Sequence, residues 1–289
     1  ASRTALMDIH QVDWSPDLLD LFGTPRSALP EITDCAGQFG ETAPEHFGAP
    51  IPITGMAGDQ QAAAIGQACL APGDTKATYG TGAFVLTNTG TEAKASRNRL
   101  LTTIAWRLNN ETSYALEGSV FVAGSLIKWL RDSLGLLVTA DESEEMARSV
   151  PDNAGVVIVP ALSGLGAPHW RPDARAAITG LSFAAHSAHI VRAALEAMAH
   201  QTHDLMTAFA ADGAAWADLK IDGGMSANDW LAQDMADILN LQVERPGFVE
   251  TTALGAAMLA AIGAGHYATL EEAATMREGV RTFEPAMDT

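Results

Sequence analysis

From Val191 onward, Leu195, Met198, Thr202, Leu205 and Phe209 follow at steps of three and four. One stripe of Ala188 to Ala211 is therefore largely apolar, and the spacing predicts the strongest helix of the chain. Asp59 to Leu70 is periodic too, with Ala62, Ile65 and Cys69 at helical spacing behind an acidic first turn. Ser15-Pro16-Asp17 supplies an N-cap, a proline at the first helical position and an acidic first turn, and Gly23 closes that short helix. Thr24-Pro25 opens a further turn. More helices are expected over Ser119 to Leu134, Asp141 to Ser149, Ser226 to Leu239 and Thr252 to Ala264.

Shorter runs read as strands: Ile51 to Thr54, Thr75 to Tyr79, Phe84 to Asn88, Leu101 to Arg107 and Thr112 to Leu116. The last two are joined by Asn109-Asn110, a usable turn. Gly155 to Val159 (GVVIV) reads as a buried strand, and Ala177 to Leu181, Leu219 to Asp222 and Gln242 to Arg245 complete the set. Residues 34–50 read as loop, and within them 40–50 as a connector or a contact surface. Hairpins followed by alternating helices and strands predict an α/β fold around a mixed sheet. There is no repeat at a solenoid period and no low-complexity tract.

A length of 289 residues suggests two domains or one large one, and 47% hydrophobic content excludes disorder for the bulk. Lys+Arg 17 against Asp+Glu 35 gives a net charge of -18, which argues against a general nucleic-acid binder. A nucleotide stays open, because Mg²⁺, backbone N–H groups and helix N-termini hold phosphates without cationic side chains. Cys35 and Cys69 cannot build a disulfide framework, so a reducing, cytoplasmic compartment is expected. No basic segment followed by an apolar run opens the chain, and Ala253 to Gly265 is too short and too rich in Ala and Gly to span a bilayer. Ala1 without a Met, and Thr282 to Thr289 without a helix or a cap, both read as cut ends.

Two glycine-bearing turns sit where predicted strands end. Gly80, Thr81 and Gly82 permit a tight turn, close approach of N–H groups to an anion, and a hydroxyl contact. Asp222-Gly223-Gly224 ends a strand ahead of Ser226 and Asn228 at a helix start, which suits a flat ligand lying against the backbone. Each turn alone reads equally as plain structure. No G-x-x-x-x-G-K-[ST] and no strand-borne G-x-G-x-x-G exists, which excludes P-loop, Rossmann and protein-kinase readings. Asp59 is placed to accept a hydroxyl proton with Gln60 as a neutral neighbour, the plainer alternative being an N-capping Asp. His186 and His189, like His200 and His203, are three apart but have no acidic or Cys ligand at metal-site spacing, so no metal site is expected. Trp129, Trp170, Trp216 and Trp230 are dispersed and read as packing.

Together these segments resemble the FGGY family of carbohydrate kinases. The matching stretches are Ala1 to Thr4 (ASRT), Gly55 to Gln61 (GMAGDQQ), Thr78 to Phe84 (TYGTGAF), Leu100 to Ile104 (LLTTI) and Tyr114 to Gly118 (YALEG). They continue with Val159 to Trp170 (VPALSGLGAPHW), Asp222 to Asn228 (DGGMSAN), Val243 to Pro246 (VERP) and Thr252 to Ala257 (TALGAA). The family's second signature fits Ala176-x-Ile178-x-Gly180-Leu181, then His189-Ile190 and Ala193-Ala194-Leu195-Glu196. The GDQQ and YGTG-x-F pair leans to the glycerol branch over xylulose, gluconate or ribulose kinases.

The resemblance implies an actin-like ATPase (ribonuclease H-like) fold whose two domains close on ATP, Mg²⁺ and a polyol. It makes Asp59 the catalytic base, with Gln60 and Phe84 beside it holding glycerol. Gly80, Thr81 and Gly82 become the phosphate turn, and Gly124, Lys128, Gly224 and Asn228 contact ATP or ADP. Lys128 stands where such kinases often carry Gln. Residues 1–66 would be the remnant of a polyol-binding domain and 67–289 the nucleotide-binding domain. The family's D-x-G-T-T-like hairpin with its Mg²⁺-linked Asp, and the Arg-Glu pair, Trp and Tyr of its polyol pocket, have no match here, nor does the segment beyond Met287. Little activity is therefore expected of this chain alone. No nucleic acid or membrane is implied, and the oligomeric state is left open. The alternatives are a related sugar kinase and a non-catalytic actin-like nucleotide-binding module.

Overall fold

A computed structural model describes residues 1–287; the last two residues of the Thr282 to Thr289 tail lie outside it. The chain opens on a ribbon of β1 (Met7–Asp8) and β2 (Asp13–Trp14), followed by α1 (Pro16–Phe22). As its cap signals predict, Ser15 accepts the Leu18 N–H and Gly23 ends α1 in the left-handed conformation. Next, β3 (Ala36–Glu41) pairs antiparallel with β4 (Pro52–Gly55) around the single turn α2 (Pro44–Phe47). Residues 34–50 thus hold a strand where loop is expected. Two of the six β3 residues are glycine, so its local propensity is weak and pairing with β4 supplies what propensity does not.

Helix α3 (Asp59–Gly66) leads into β5 (Thr75–Tyr79), β6 (Ala83–Gly90), β7 (Leu101–Leu108) and β8 (Glu111–Val120). Then come α4 (Gly124–Asp132), α5 (Glu142–Arg148), the ribbon β9 (Val157–Val159) with β10 (Ala177–Thr179), and the long α6 (Ser187–Ala211). The chain finishes with β11 (Leu219–Asp222), α7 (Asp229–Leu239), β12 (Val243–Pro246), α8 (Thr251–Gly263), α9 (Leu270–Ala273) and β13 (Val280–Phe283). The main sheet runs β13-β12-β11-β5-β6-β8-β7. β5, β11 and β12 are parallel neighbours and the other pairs are antiparallel, so the sheet is mixed as expected.

Three boundaries shift for identifiable reasons. Ser119 and Val120 belong to β8, because Val120 and Ser119 stay in register with Ala83 and Phe84; the helix starts only at Gly124. The GVVIV segment forms an edge ribbon in which Ile158 is buried while Val157 and Val159 are exposed, so it is not a central strand. The tail, read as having neither helix nor cap, carries the end of β13 (Val280–Phe283), whose Phe283 is buried against β12.

Alternation gives the sheet two apolar faces. On one, Tyr79, Val85, Leu116 and Leu219 pack under α6 and α7, where Leu195, Met198, Leu205 and Phe209 are fully buried at about 1.5–3 kcal/mol each. On the other, Leu86 and Ala115 meet Ala64 and Ile65 of α3 and Met258 and Leu259 of α8. Glycine sets how closely these elements approach. A β-carbon on Gly255 would overlap the Ala62 carbonyl, and one on Gly263 would overlap that of Thr54. Helix α8 thus lies on the backbones of α3 and β4.

Candidate functional site

The C-terminal ends of the parallel strands β5 and β11 open side by side, a common location for ligands in open α/β sheets. After β5 the chain turns at Gly80, whose N–H donates to the Gly82 carbonyl at 2.9 Å. The carbonyls of Gly80 and Thr81 then accept the N–H groups of Ala123 (3.0 Å), Gly124 (2.9 Å) and Ser125 (3.1 Å), with the Ser125 hydroxyl at 2.9 Å from the Thr81 oxygen. The turn therefore satisfies donors at the start of α4 that would otherwise be orphaned.

Close approach accounts for three of the glycines. A β-carbon on Gly82 would lie 2.5 Å from the Val120 oxygen, and one on Gly124 2.6 Å from the Gly80 oxygen. Gly223 adopts φ +85° and would bring a β-carbon within 2.5 Å of the Tyr79 oxygen. The turn at 80–82, the start of α4 and the loop after β11 are thus locked into one surface. Gly224 differs: nothing lies within 4 Å of where its β-carbon would be, so it borders open space. Gly80, Thr81, Gly82, Gly124 and Gly224 all come together here.

Asn228 joins them with a duty the sequence reading did not assign. Gly224–Ala227 form a 3-10 turn, and Asn228 caps α7 by accepting the Leu231 N–H at 2.9 Å while its amide donates to the Ser143 hydroxyl at 3.3 Å. Lys128 is exposed on α4, one turn beyond Gly124, without an ion-pair partner among the described residues.

On the neighbouring side, Asp59 is the first residue of α3. Gly58 is the N-cap, and it provides no side-chain cap hydrogen bond, so Asp59 is not the capping residue of the plainer reading. The exposed carboxylate accepts the Gln60 N–H at 2.8 Å and lies at the positive end of the helix. The Gln60 amide sits 3.5 Å from its second oxygen. Phe84, 42% exposed, pairs in register with Thr78, two residues before Gly80. Asp59, Gln60 and Phe84 therefore share the face of the sheet covered by α3, near the glycine turn.

Beneath this group lies a charged layer that sequence reading missed. Lys76 is fully buried; its ammonium donates to the Gln60 side-chain oxygen and to the Thr78 hydroxyl, the latter at 2.9 Å. Glu117, also buried, accepts from Arg3 at 2.9 Å, and its other oxygen has no partner. Asp222 accepts from Thr251 at 2.5 Å and from Gln67 at 3.2 Å. Burial lowers the Lys76 pKa, opposed first by Asp222; burial raises that of Glu117, opposed by Arg3 and Lys76. The available signal was Lys76 itself, a cation inside a strand whose flanking positions are all apt for a core.

His186 and His189 serve the start of α6. His186 caps it, the rings of His186 and His189 stand 4.0 Å apart, and His189 Nδ1 accepts the His186 N–H at 3.2 Å. Among the described residues, no three His, Cys, Asp or Glu side chains converge as metal ligands.

The strand order β8-β6-β5-β11-β12, three antiparallel strands followed by two parallel ones, with a glycine turn after β5 and a Gly-Gly loop after β11, is the ribonuclease H-like core of an actin-like ATPase. The chain belongs to the FGGY family of carbohydrate kinases: the family's C-terminal domain matches residues 75–264 and its N-terminal domain residues 1–66. It is 54% identical over 289 residues to the glycerol kinase of Rhodospirillum centenum, covering 100% of this chain and 58% of that protein. With the glycerol kinase of Gluconobacter oxydans it shares 53% identity over 289 residues, 100% of this chain and 56% of the relative. The chain thus spans little more than half the length of these relatives. Among solved structures, Plasmodium falciparum glycerol kinase with ADP superposes with a TM-score of 0.92 at 40% identity, over 99% of this chain and 58% of that one. A xylulose kinase from Rhodospirillum rubrum gives 0.83 at 25%, over 97% and 58%. No described helix is long and apolar enough to cross a membrane.

Proposed function

We propose that the full-length protein transfers the γ-phosphoryl group of ATP to a terminal hydroxyl of glycerol, yielding sn-glycerol 3-phosphate and ADP. The observation that carries this reading is the convergence at the ends of β5 and β11. An exposed carboxylate, Asp59, stands at the first turn of α3, with Gln60 and Phe84 beside it, next to a glycine-lined surface with room for a flat ligand. The glycerol kinase relatives and the ADP held by the Plasmodium enzyme support the choice of polyol and nucleotide.

In this reading Asp59 takes the hydroxyl proton while the glycerol oxygen bonds to the γ-phosphorus and the bond to the ADP oxygen breaks. Gln60 orients the hydroxyls, and Phe84 offers an apolar wall to the carbon edge. Gly80, Thr81 and Gly82 face the phosphates; Gly124, Lys128, Gly224 and Asn228 hold the rest of the nucleotide. Mg²⁺ on the phosphates would neutralise charge during transfer. Residues 1–66 then belong to the polyol domain and 67–289 to the nucleotide domain. The free thiols of Cys35 and Cys69 fit a cytoplasmic site of action.

The test is ADP release by the full-length enzyme with glycerol, xylulose, ribulose and gluconate, repeated with Asp59→Asn. Glycerol should be preferred, and the variant should lose about 10²–10⁴-fold in kcat, the usual contribution of a positioned base. Preference for another polyol, or unchanged turnover in the variant, contradicts the reading.

A further inference from the structure

We propose that Lys76 is a positioning residue for the polyol: its buried ammonium fixes which end of the Gln60 amide faces Asp59. This rests on the glycerol kinase reading and adds to it a residue that touches no substrate.

An amide has two ends of similar shape and opposite hydrogen-bonding character. In Gln60 the oxygen accepts from Lys76, so the nitrogen is turned toward Asp59, 3.5 Å from that carboxylate's second oxygen. Lys76 carries donors only, so it can hold the amide in this sense and no other. The Thr78 hydroxyl, at 2.9 Å, is its other anchor, and Thr78 lies beside Phe84 across the β5–β6 pair. The ammonium is fully buried, so few rotamers and no water compete with this arrangement. A lysine buried to this degree needs compensating charge. Asp222, Glu117 and Asp59 all act on it. A core position would ordinarily carry an apolar side chain here, and one of that kind would leave the Gln60 amide free to flip. With the flipped amide, an acceptor replaces the donor that faces Asp59 and the polyol hydroxyls. The ammonium therefore contributes to glycerol recognition through Gln60, while its hydrogen bonds go to Gln60 and Thr78 and none to the nucleotide turns.

The experiment compares Lys76→Met, Gln60→Ala and the double variant in the full-length enzyme, measuring KM for glycerol and for Mg-ATP separately. The wild-type enzyme must first phosphorylate glycerol; if it phosphorylates none of the polyols, it is the functional reading that fails, and Mg-ATP affinity reports whether each variant keeps its fold. Lys76→Met should raise the glycerol KM at least tenfold and leave the Mg-ATP KM within about twofold. It should add nothing further in the Gln60→Ala background, because its effect runs through that amide. An unchanged glycerol KM, or equal effects with and without Gln60, overturns the proposal. Should Lys76→Met fail to fold, Thr78→Val decides. Releasing one anchor of the ammonium should raise the glycerol KM severalfold at unchanged Mg-ATP KM, and no change overturns the proposal.

Discussion

Gly66 and Gly255 face each other across α3 and α8: a β-carbon on Gly255 would overlap the Ala62 carbonyl, and one on Gly66 the carbonyl of Thr251. This contact fixes α3, and with it Asp59 and Gln60 at its first turn, against the helix that follows β12. The position of the candidate base is thus set by small residues a full turn or more away.

Gly255→Ala should therefore cost more than ordinary overpacking, which runs about 1–3 kcal/mol, because the obstacle is backbone and cannot rotate away. At roughly 2–4 °C per kcal/mol, the midpoint of thermal unfolding should fall by about 6 °C or more. A calorimetric scan of the variant checks this, and a midpoint within 2 °C of the parent chain would show that the helices can part at little cost.

Asn228 caps α7 and, in the proposed reading, holds the nucleotide, and substitution can separate the two. Asn228→Ser keeps an oxygen to cap α7 and loses the amide, whereas Asn228→Ala loses both. Only the alanine variant should lose about 1 kcal/mol of stability, while both should bind Mg-ADP more weakly. Chemical denaturation and calorimetric titration of the two variants give the comparison. Full Mg-ADP affinity in Asn228→Ser would confine this residue to capping.

A pH effect is expected on α7, about two turns beyond its Asn228 cap. Burial, then the nearby Glu196 charge, pushes the Asp234 carboxyl up to about 7, and its Oδ2 has no partner. Arg192, which lies over Trp230 and pairs with Glu196, opposes this, while Asp237 adds to it. The folded state holds this proton more tightly than the unfolded chain, so the contribution is complete below the ordinary value of 3.8 and is lost as pH rises toward 7. Stability should fall by about 4 kcal/mol over that interval, at about 1.4 kcal/mol per pKa unit. Denaturation midpoints across pH 4–8 should show a flatter dependence in Asp234→Asn; an identical slope would mean that the carboxyl titrates as if exposed.

The sequence made the site's parts legible and left their supports hidden. Gly80, Gly82, Gly223 and Asp59 sit at ends of well-patterned elements, where turn chemistry is local and readable. The capping role of Asn228 was hidden because a 3-10 turn, Gly224–Ala227, separates β11 from α7 and shifts the helix start by three residues. Strand β3 was hidden because its stability lies in pairing with β4 and in α8, which packs against it through Gly37 and Gly263. Lys76 and Glu117 were hidden for a related reason. Each is a charged residue in a strand, and only the approach of α3 and of Arg3 turns those positions into a buried polar layer.

In the proposed reading the turns after β5 and β11 form one nucleotide surface. A β-carbon at Gly224 would enter open space on that surface and meet nothing else in the fold. Calorimetric titration of this chain with Mg-ADP should show saturable binding at one site. Gly224→Val should abolish that binding while leaving the thermal midpoint within about 2 °C. Equal Mg-ADP affinity in the folded valine variant, or no binding by the folded parent chain, would contradict the account.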